Sequence, residues 1–154
     1  MSKLIGLPMA QGPQAQPWET DDEAEEYIAD PRKFLLEKCK DFQDNIELFH
    51  NTVMVATYYL PSYHTLSTGH KLYRSDKTLD EALWQGKVGL VVAKGRMAFV
   101  DDEYRKFSGQ NVDIGDWVYY DIHDGRQLTI NRVHCRRLKD VEVMGRVKVP
   151  YLVY

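Results

Sequence analysis

The chain has 154 residues, of which 44% are hydrophobic and 28% are charged, so it can bury a core of its own and is not a wholly disordered protein. Its formal net charge of -3 gives no general basic field, and we expect no nucleic-acid partner. The apolar runs are too short to cross a bilayer, and the first eight residues are too short and too broken by Pro8 and Gly6 for a signal peptide, so we expect no membrane partner and no export.

Charge is divided unevenly along the chain. Residues 1–50 hold 5 basic and 11 acidic groups, a net of -6, whereas residues 51–154 hold 15 basic and 12 acidic groups, a net of +3. This difference in charge, together with the pattern of residue types in each part, predicts four segments. They are an extended arm over 1–18, an acidic helical segment over 19–50, a β-barrel over 51–147 and a tail over 148–154. The opposite charges favour head-to-tail attraction between copies, within the limits of salt screening.

The arm is rich in proline, glycine and glutamine, a composition that disfavours helix and packs no core by itself. It nevertheless carries apolar side chains, for which a purely flexible tail has little use. Two interpretations remain open: a disordered tail, or an extended arm that becomes ordered on a neighbouring subunit. In the second, the arm residues that contact the partner are Leu4, Ile5, Leu7, Met9 and Trp18.

Two helix starts are visible in the acidic segment. Thr20 and Glu23 have the spacing of a capping box, which predicts a short helix over 19–29. Asp30 before Pro31 is typical of a second start, since Asp caps well and Pro suits the first helical position. Apolar residues at helical spacing from Phe34 to Phe49 predict one packing face for this second helix, rather than a ligand site.

After residue 50 the pattern changes to short β-branched and aromatic runs separated by turn residues, which predicts a mainly β domain, a small β-barrel. The Asp124–Gly125 pair predicts a two-residue hairpin that joins the strand over 117–122 to the strand over 127–133. Polar or loop-like segments lie between the predicted strands. The predicted strands are 52–60, 86–95, 117–122, 127–133 and 141–147, and the loops are 61–85 and 96–112.

No specific catalytic constellation is present, so we expect no enzyme, no cofactor and no metal site. Asp101–Glu103 is a carboxylate triplet that favours a solvated loop, because consecutive strand residues point to opposite faces. If the 124–125 hairpin forms, Asp121, His123 and His134 approach one another. Two interpretations then remain open: a weak divalent-metal site, or an exposed polar hairpin. Arg136, Arg137 and Lys139 form a small basic patch, interpreted as a solvated edge or as a contact for an acidic partner or the acidic arm of a neighbouring copy. Cys39 and Cys135 are expected to be reduced, partly buried thiols.

Over residues 51–147 the order of features resembles the co-chaperonin (GroES-like) fold family. Val53–Val55 is similar to the family's first strand, and Ser62–Lys71 lies where the family has its mobile loop. Gly86–Gly95 resembles its "G-x-V-x-x-V-G-x-G" strand, and Val112–Val118 its "V-x-x-G-D-x-V" motif. The resemblance implies a GroES-like β-barrel, here preceded by the arm and one or two short helices.

Two functions are expected from this organisation. The extensions at both ends are similar to those of tailed-phage head proteins, which implies a structural capsid decoration or cement protein. It would lie on the surface of the virion after being made in the host cytoplasm, bound to the major capsid protein and to neighbouring copies. The alternative is a co-chaperonin that caps a chaperonin through residues 62–74. Outside the arm, the predicted partner-binding residues are His70, Lys71, Leu72, Tyr73, Tyr151, Leu152 and Tyr154.

Overall fold

The computed structural model describes residues 16–61, 63–65, 68, 70–73 and 87–153. This part of the chain is mainly β, as predicted: a six-stranded antiparallel sheet, a separate two-stranded hairpin and short helices. The helices are α1 (Asp21–Ala29), α2 (Pro31–Lys38) and α3 (Lys40–Asn45), and 3₁₀ turns cover Asp140–Glu142 and Pro150–Leu152. The strands are β1 (Thr52–Thr57), β2 (Tyr63–Thr65), β3 (Lys71–Tyr73), β4 (Val88–Lys94), β5 (Trp117–Tyr120), β6 (Arg126–Ile130), β7 (Val133–Lys139) and β8 (Val143–Val147).

Both predicted helix starts are confirmed. The Thr20 hydroxyl accepts a hydrogen bond from the N–H of Glu23 at 3.2 Å, and the Asp30 carboxylate accepts one from the N–H of Lys33 at the same distance. Each cap satisfies a backbone donor that the first helical turn leaves without a partner. Among the described residues no helix is long and apolar enough to span a bilayer.

The prediction of one second helix reaching Phe49 is wrong. α2 ends at Lys38, Cys39 forms a joint, and α3 ends at Asn45, so that the described segment has three helices rather than one or two. At the joint the chain turns so that Cys39 enters the core and the Gln43 side chain can donate to the carbonyl oxygen of Val92 at 2.7 Å. Tertiary contacts therefore override the helical spacing of the apolar residues.

The six strands lie in the order β6-β7-β1-β4-β5-β8, all antiparallel. β1 is central: Ala56 pairs with Cys135 of β7 on one side and with Leu90 of β4 on the other. The register of β1 and β4 shifts between Met54 and Val55, which leaves Val92 as the extra residue of a bulge. The carbonyl that accepts from Gln43 belongs to this bulge residue, so α3 satisfies a backbone group there.

Both faces of the sheet are buried, since the side chains alternate between them. The helix-covered face packs against α1, α2 and Trp18; its sheet residues include Met54, Ala56, Val88, Leu90, Val92, Trp117, Val133 and Cys135. The loop-covered face packs against residues from 98–112; its sheet residues include Val53, Val55, Val91, Val118, Tyr120 and Leu138. The almost continuously apolar β1 and β4 are explained by burial on both sides.

The predicted hairpin at Asp124–Gly125 is wrong. β5 pairs with β4 and β8, and no pairing joins it to β6. The hairpin lies instead at Asn131–Arg132, between β6 and β7, where both residues have positive φ values of 47° and 72°. A two-residue turn of that conformation matches the right-handed twist of its strands, and asparagine tolerates it well.

The segment predicted as a polar loop over 61–85 contains a short hairpin. β2 and β3 pair antiparallel, with Tyr63 opposite Tyr73, His64 opposite Leu72 and Thr65 opposite Lys71. Within the described residues this hairpin does not pair with the six-stranded sheet. The predicted loop over 96–112 has turns and no strand.

Candidate functional site

The predicted partner-binding residues that the structure describes lie in three places. His70–Tyr73 are on the small hairpin, Tyr151 and Leu152 are in the tail, and Trp18 lies at the root of the arm. The remaining predicted contacts lie outside the described residues: Leu4, Ile5, Leu7, Met9 and Tyr154.

The small hairpin presents exposed apolar surface. All residues of β3 are exposed, with Leu72 at 50% and Tyr73 at 66%. An isolated two-stranded hairpin is marginally stable in water, because it lacks a third strand or a helix to cover one side. The half-exposed side chain of Leu72 is therefore a candidate for contact with another surface.

The tail presents a second exposed apolar group. After β8 the chain makes the 3₁₀ turn Pro150–Leu152, in which Leu152 is 69% exposed and Tyr151 is half exposed. Together with Tyr119 and Val147 the tail lines a groove of about 330 Å³, and Arg146 adds a basic side chain to its wall. Within the described residues β8 pairs on one side only, so the groove lies next to a sheet edge.

Trp18, predicted to contact a partner, packs in the core of its own chain. Its indole is 9% exposed, and its ring centroid lies 5.1 Å from that of Tyr27 and 5.2 Å from that of Tyr59. Its surface is thus largely covered without a partner, and a contact with another subunit stays a prediction. Tyr59 precedes β2 by only a few residues, so Trp18 packs next to the point where the chain leaves β1 for the small hairpin.

A polar cluster that the sequence analysis missed lies on the loop-covered face. Its members come from three strands: Thr57 from β1, Tyr120 from β5, and His134 with Arg136 from β7. The Thr57 hydroxyl lies 2.9 Å from Nδ1 of His134, and the guanidinium carbon of Arg136 lies 5.4 Å from the Tyr120 ring centroid. Spacing along the chain gives no signal for this cluster, because it depends on the strand order.

The basic patch predicted at Arg136, Arg137 and Lys139 is wrong for Arg136. Its side chain is 4% exposed, and its Nη1 donates to the carbonyl oxygens of Ile122 and Asp124 at 2.6 and 2.8 Å. No carboxylate among the described residues pairs with it, and its Nε makes no hydrogen bond there. The charge is instead used to hold the 121–125 loop against β7.

Burial sets the acid–base properties of this cluster. Burial, with a smaller contribution from the charge of Arg136, lowers the pKa of His134 to about 4. Burial also raises the pKa of Tyr120 to about 12, although the Arg136 charge and the approach of Thr57 oppose the rise. Thr57 approaches without completing a hydrogen bond, so the buried Tyr120 hydroxyl has no partner within the described part of the chain. Both rings are therefore neutral at pH 7.

The predicted acidic loop is organised by its own carboxylates. Asp101 accepts from the N–H of Phe107, and Asp102 accepts from the N–H groups of Tyr104 and Arg105. Arg105 then reaches the fully buried carboxylate of Asp140, with Nη1 at 2.6 and 2.8 Å from its two oxygens. These contacts fix the loop over the sheet.

The histidine arrangement behind the weak metal site does not form. The 124–125 turn does not pair β5 with β6, and His134 lies opposite Thr129 and next to Thr57. Across the described ranges no group of three His, Cys, Asp or Glu side chains is placed to hold a metal ion.

No protein-family model matches the chain, and no curated protein matches it with significant similarity.

Proposed function

We propose that this chain is a non-enzymatic structural protein of a virus-like assembly, a decoration or cement subunit on the outside of a capsid. Its partners would be the major capsid protein and neighbouring copies of itself. The observation that carries the proposal is the exposure of apolar side chains on two elements outside the main sheet, Leu72 on the small hairpin and Leu152 in the tail. Such groups are costly in an isolated subunit and useful when an assembly covers them.

We further propose that the six-stranded sheet forms a GroES-like barrel. β5 and β7 are separated by β4 and β1, so in a flat sheet their axes would be about 14 Å apart. The Tyr120 ring and the Arg136 guanidinium nevertheless meet at 5.4 Å, which supports a sheet bent toward its loop-covered face.

The turn that carries the family-like motif adds support. Gly115 has a φ of 100°, and the Asp116 carboxylate accepts from the N–H of Asp113 at 2.9 Å. The N–H of Gly115 donates to the carbonyl oxygen of Val91, which ties the turn to β4. The motif thus makes a tight turn directly before β5, as the resemblance implies.

Co-sedimentation with capsids tests the proposal. Purified protein is incubated with undecorated heads, and we expect it to pellet with them. The double variant Tyr151→Ser/Leu152→Ser removes the apolar tail and should weaken binding by about tenfold or more, the usual effect of losing central apolar contacts. Tyr104→Ser is the matched control, because Tyr104 is 89% exposed and lies in the 96–112 loop. If the wild-type protein stays in the supernatant at saturating concentration, the proposal fails.

A co-chaperonin is the second candidate, favoured by the small hairpin alone. Leu72 is half exposed on a hairpin that, within the described residues, does not pair with the main sheet, and a loop that docks on a chaperonin would require such an apolar anchor. This function predicts nucleotide-dependent association with a chaperonin that Leu72→Ser abolishes and Leu152→Ser leaves intact. If instead the protein binds capsids, and Leu152→Ser abolishes that binding while Leu72→Ser leaves it intact, the structural function is favoured.

A further inference from the structure

Two exposed arginines face each other across β6 and β7. Arg126 lies directly opposite Arg137, and Lys139 lies on the same face of β7, because alternate residues of a strand share a face. Like charges directly opposite each other destabilise a sheet. No carboxylate in the part of the chain that the structure describes forms an ion pair with any of the three, and Glu142 accepts from the backbone N–H of Lys139 instead. These three side chains, here called the basic stripe, carry uncompensated positive charge.

The basic stripe lies on the helix-covered side of the sheet, where the helices no longer cover β7. Arg137 pairs with Met54 of β1 and follows Cys135 on the same face of β7, and both of these neighbours belong to the core of the helix-covered face. Cys135 is fully buried, whereas Arg137 is exposed. The helical layer therefore ends between these two positions of β7. The basic stripe remains uncovered beside the start of β1.

The outer side of α1 carries the opposite charge. Ala24 and Tyr27 are the buried residues of this helix and face the core. Its exposed carboxylates, here called the acidic face, are Asp21, Asp22, Glu25 and Glu26. The neighbouring Glu19 and Glu23 are already paired with cations of their own chain, but within the described ranges no ion pair involves the acidic face. The acidic face therefore also lacks a counter-charge.

The acidic face and the basic stripe lie near opposite ends of β1. α1 is fixed just after the end of this strand, where the Tyr27 hydroxyl bonds to the backbone of Tyr59. The basic stripe lies near its start, where Met54 pairs with Arg137. The extended chain between Met54 and Tyr59 spans about 15 Å, which is much longer than an ion-pair contact. The two surfaces are thus on the same side of the sheet but do not neutralise each other within one chain.

We propose that copies of this chain associate head to tail, with the acidic face of one copy docked on the basic stripe of the next. Charge complementarity favours a second copy as the occupant, because guanidinium groups bind carboxylates in bidentate geometry and α1 presents carboxylates on successive turns. Each copy carries both surfaces, so the contact repeats and makes a ring where the rotation closes and a filament where it does not. The inference rests on the proposed function, in which neighbouring copies are partners, and names the surfaces by which they meet.

Light scattering on the purified chain tests the contact without a capsid, so its failure is separate from failure of capsid binding. We expect the mean mass to rise with protein concentration at about 0.02 M salt. It should return to the mass of one chain at about 0.5 M salt, because exposed charges are then screened.

Charge reversal identifies the two surfaces. Arg126→Glu/Arg137→Glu makes the basic stripe acidic, and Glu25→Lys/Glu26→Lys neutralises the acidic face. Each variant alone should have a dissociation constant at least about tenfold higher than the wild-type chain. An equal mixture of the two should form pairs, because the unaltered acidic face of the first variant meets the unaltered basic stripe of the second.

Arg96→Glu/Lys106→Glu is the matched control. Both side chains are exposed in the 96–112 loop, and the change in net charge equals that of the stripe variant, so self-association should stay near the wild-type level. Arg137→Glu alone, which places a carboxylate opposite Arg126, replaces the double variant if that variant does not fold. A single-chain mass up to about 1 mM protein at low salt would overturn the proposal. So would association that salt or the stripe variant leaves unchanged, an equal loss in the control, or a mixture without pairs.

Discussion

The hydroxyl of Tyr27 makes two hydrogen bonds with one residue: it donates to the carbonyl oxygen of Tyr59 and accepts from its N–H, each at 2.8 Å. Tyr27 lies in α1 and is fully buried, and Tyr59 follows β1, so this pair joins the helical segment to the central strand. Aromatic contacts extend the junction, since the Tyr27 ring packs on Phe34 of α2 and on Tyr58.

Tyr27→Phe should therefore destabilise the protein by about 2–4 kcal/mol, because it leaves a backbone donor and acceptor without a partner in the core. Tyr120→Phe is the matched control. Tyr120 is equally buried, but its hydroxyl has no hydrogen-bond partner among the described groups, so its loss should change stability by less than about 1 kcal/mol or raise it. Urea unfolding of both variants measures the difference, and equal losses would contradict the hydrogen-bond assignment.

Stability should fall as the pH is lowered below about 6.5, because His134 is held neutral in the folded chain. Its folded pKa is lowered to about 4, so the unfolded chain binds the proton first. The contribution of the neutral ring is complete above pH 6.5 and is lost toward pH 4, to a limit of about 3 kcal/mol.

His134→Gln should flatten this dependence between pH 6.5 and 5, where most carboxylates are still ionised. His123→Gln changes an exposed histidine in the neighbouring loop and should keep the wild-type loss. Unfolding free energies at half-unit pH steps decide the matter, and an unaltered slope in the His134 variant would show that the ring is not the titrating group.

The buried Asp140 carboxylate should be among the most sensitive positions in the chain. It accepts from the Asn51 side chain and from the N–H of Phe99, both at 3.0 Å, in addition to Arg105. Asp140→Ala leaves these donors without their acceptor and should cost about 3–5 kcal/mol. Asp102→Ala, which removes the partly exposed partner of Arg105, should cost much less. Thermal and chemical denaturation compare the two, and similar losses would contradict a central role for Asp140.

Gly125 should tolerate substitution less well than Gly109, although both have positive φ values, 83° and 78°. An added Cβ at Gly125 would lie 2.7 Å from the carbonyl oxygen of Arg137, whereas at Gly109 it would meet nothing within 4 Å. Gly109→Ala should cost about 1–2 kcal/mol from backbone strain alone. Gly125→Ala should cost about 1–3 kcal/mol more from overpacking, and denaturation curves with equal midpoints would contradict this.

Local signals predicted the parts of this fold that local contacts stabilise. The caps at Thr20 and Asp30 and the buried strand β4 are examples, because hydrogen bonds within a few residues and a continuous apolar run define them. The Asp124–Gly125 signal was misassigned because the glycine serves a different purpose. It lets the 121–125 loop approach β7 closely, and strand order rather than turn chemistry decides where the hairpin forms.

Features that depend on strand order were out of reach of the sequence. Arg136 belongs to an exposed basic run in the sequence, yet its position on β7 places it on the loop-covered face beside Tyr120. Leu72 was predicted as a contact from the resemblance of its loop, and Leu152 from the C-terminal extension. Both are exposed in the structure, and their contact with a partner stays a prediction.

The central position of β1 has a consequence for synthesis of the chain. β1 is the first strand of the sheet to leave the ribosome, but its partners are residues 88–94 and 133–139. Its buried side chains and the apolar sides of α1 and α2 therefore remain uncovered until residues 133–139 have been made. Pairing over such long separations is slow and leaves apolar surface open to aggregation in the meantime. We expect the nascent chain to depend on general chaperones until β7 has emerged.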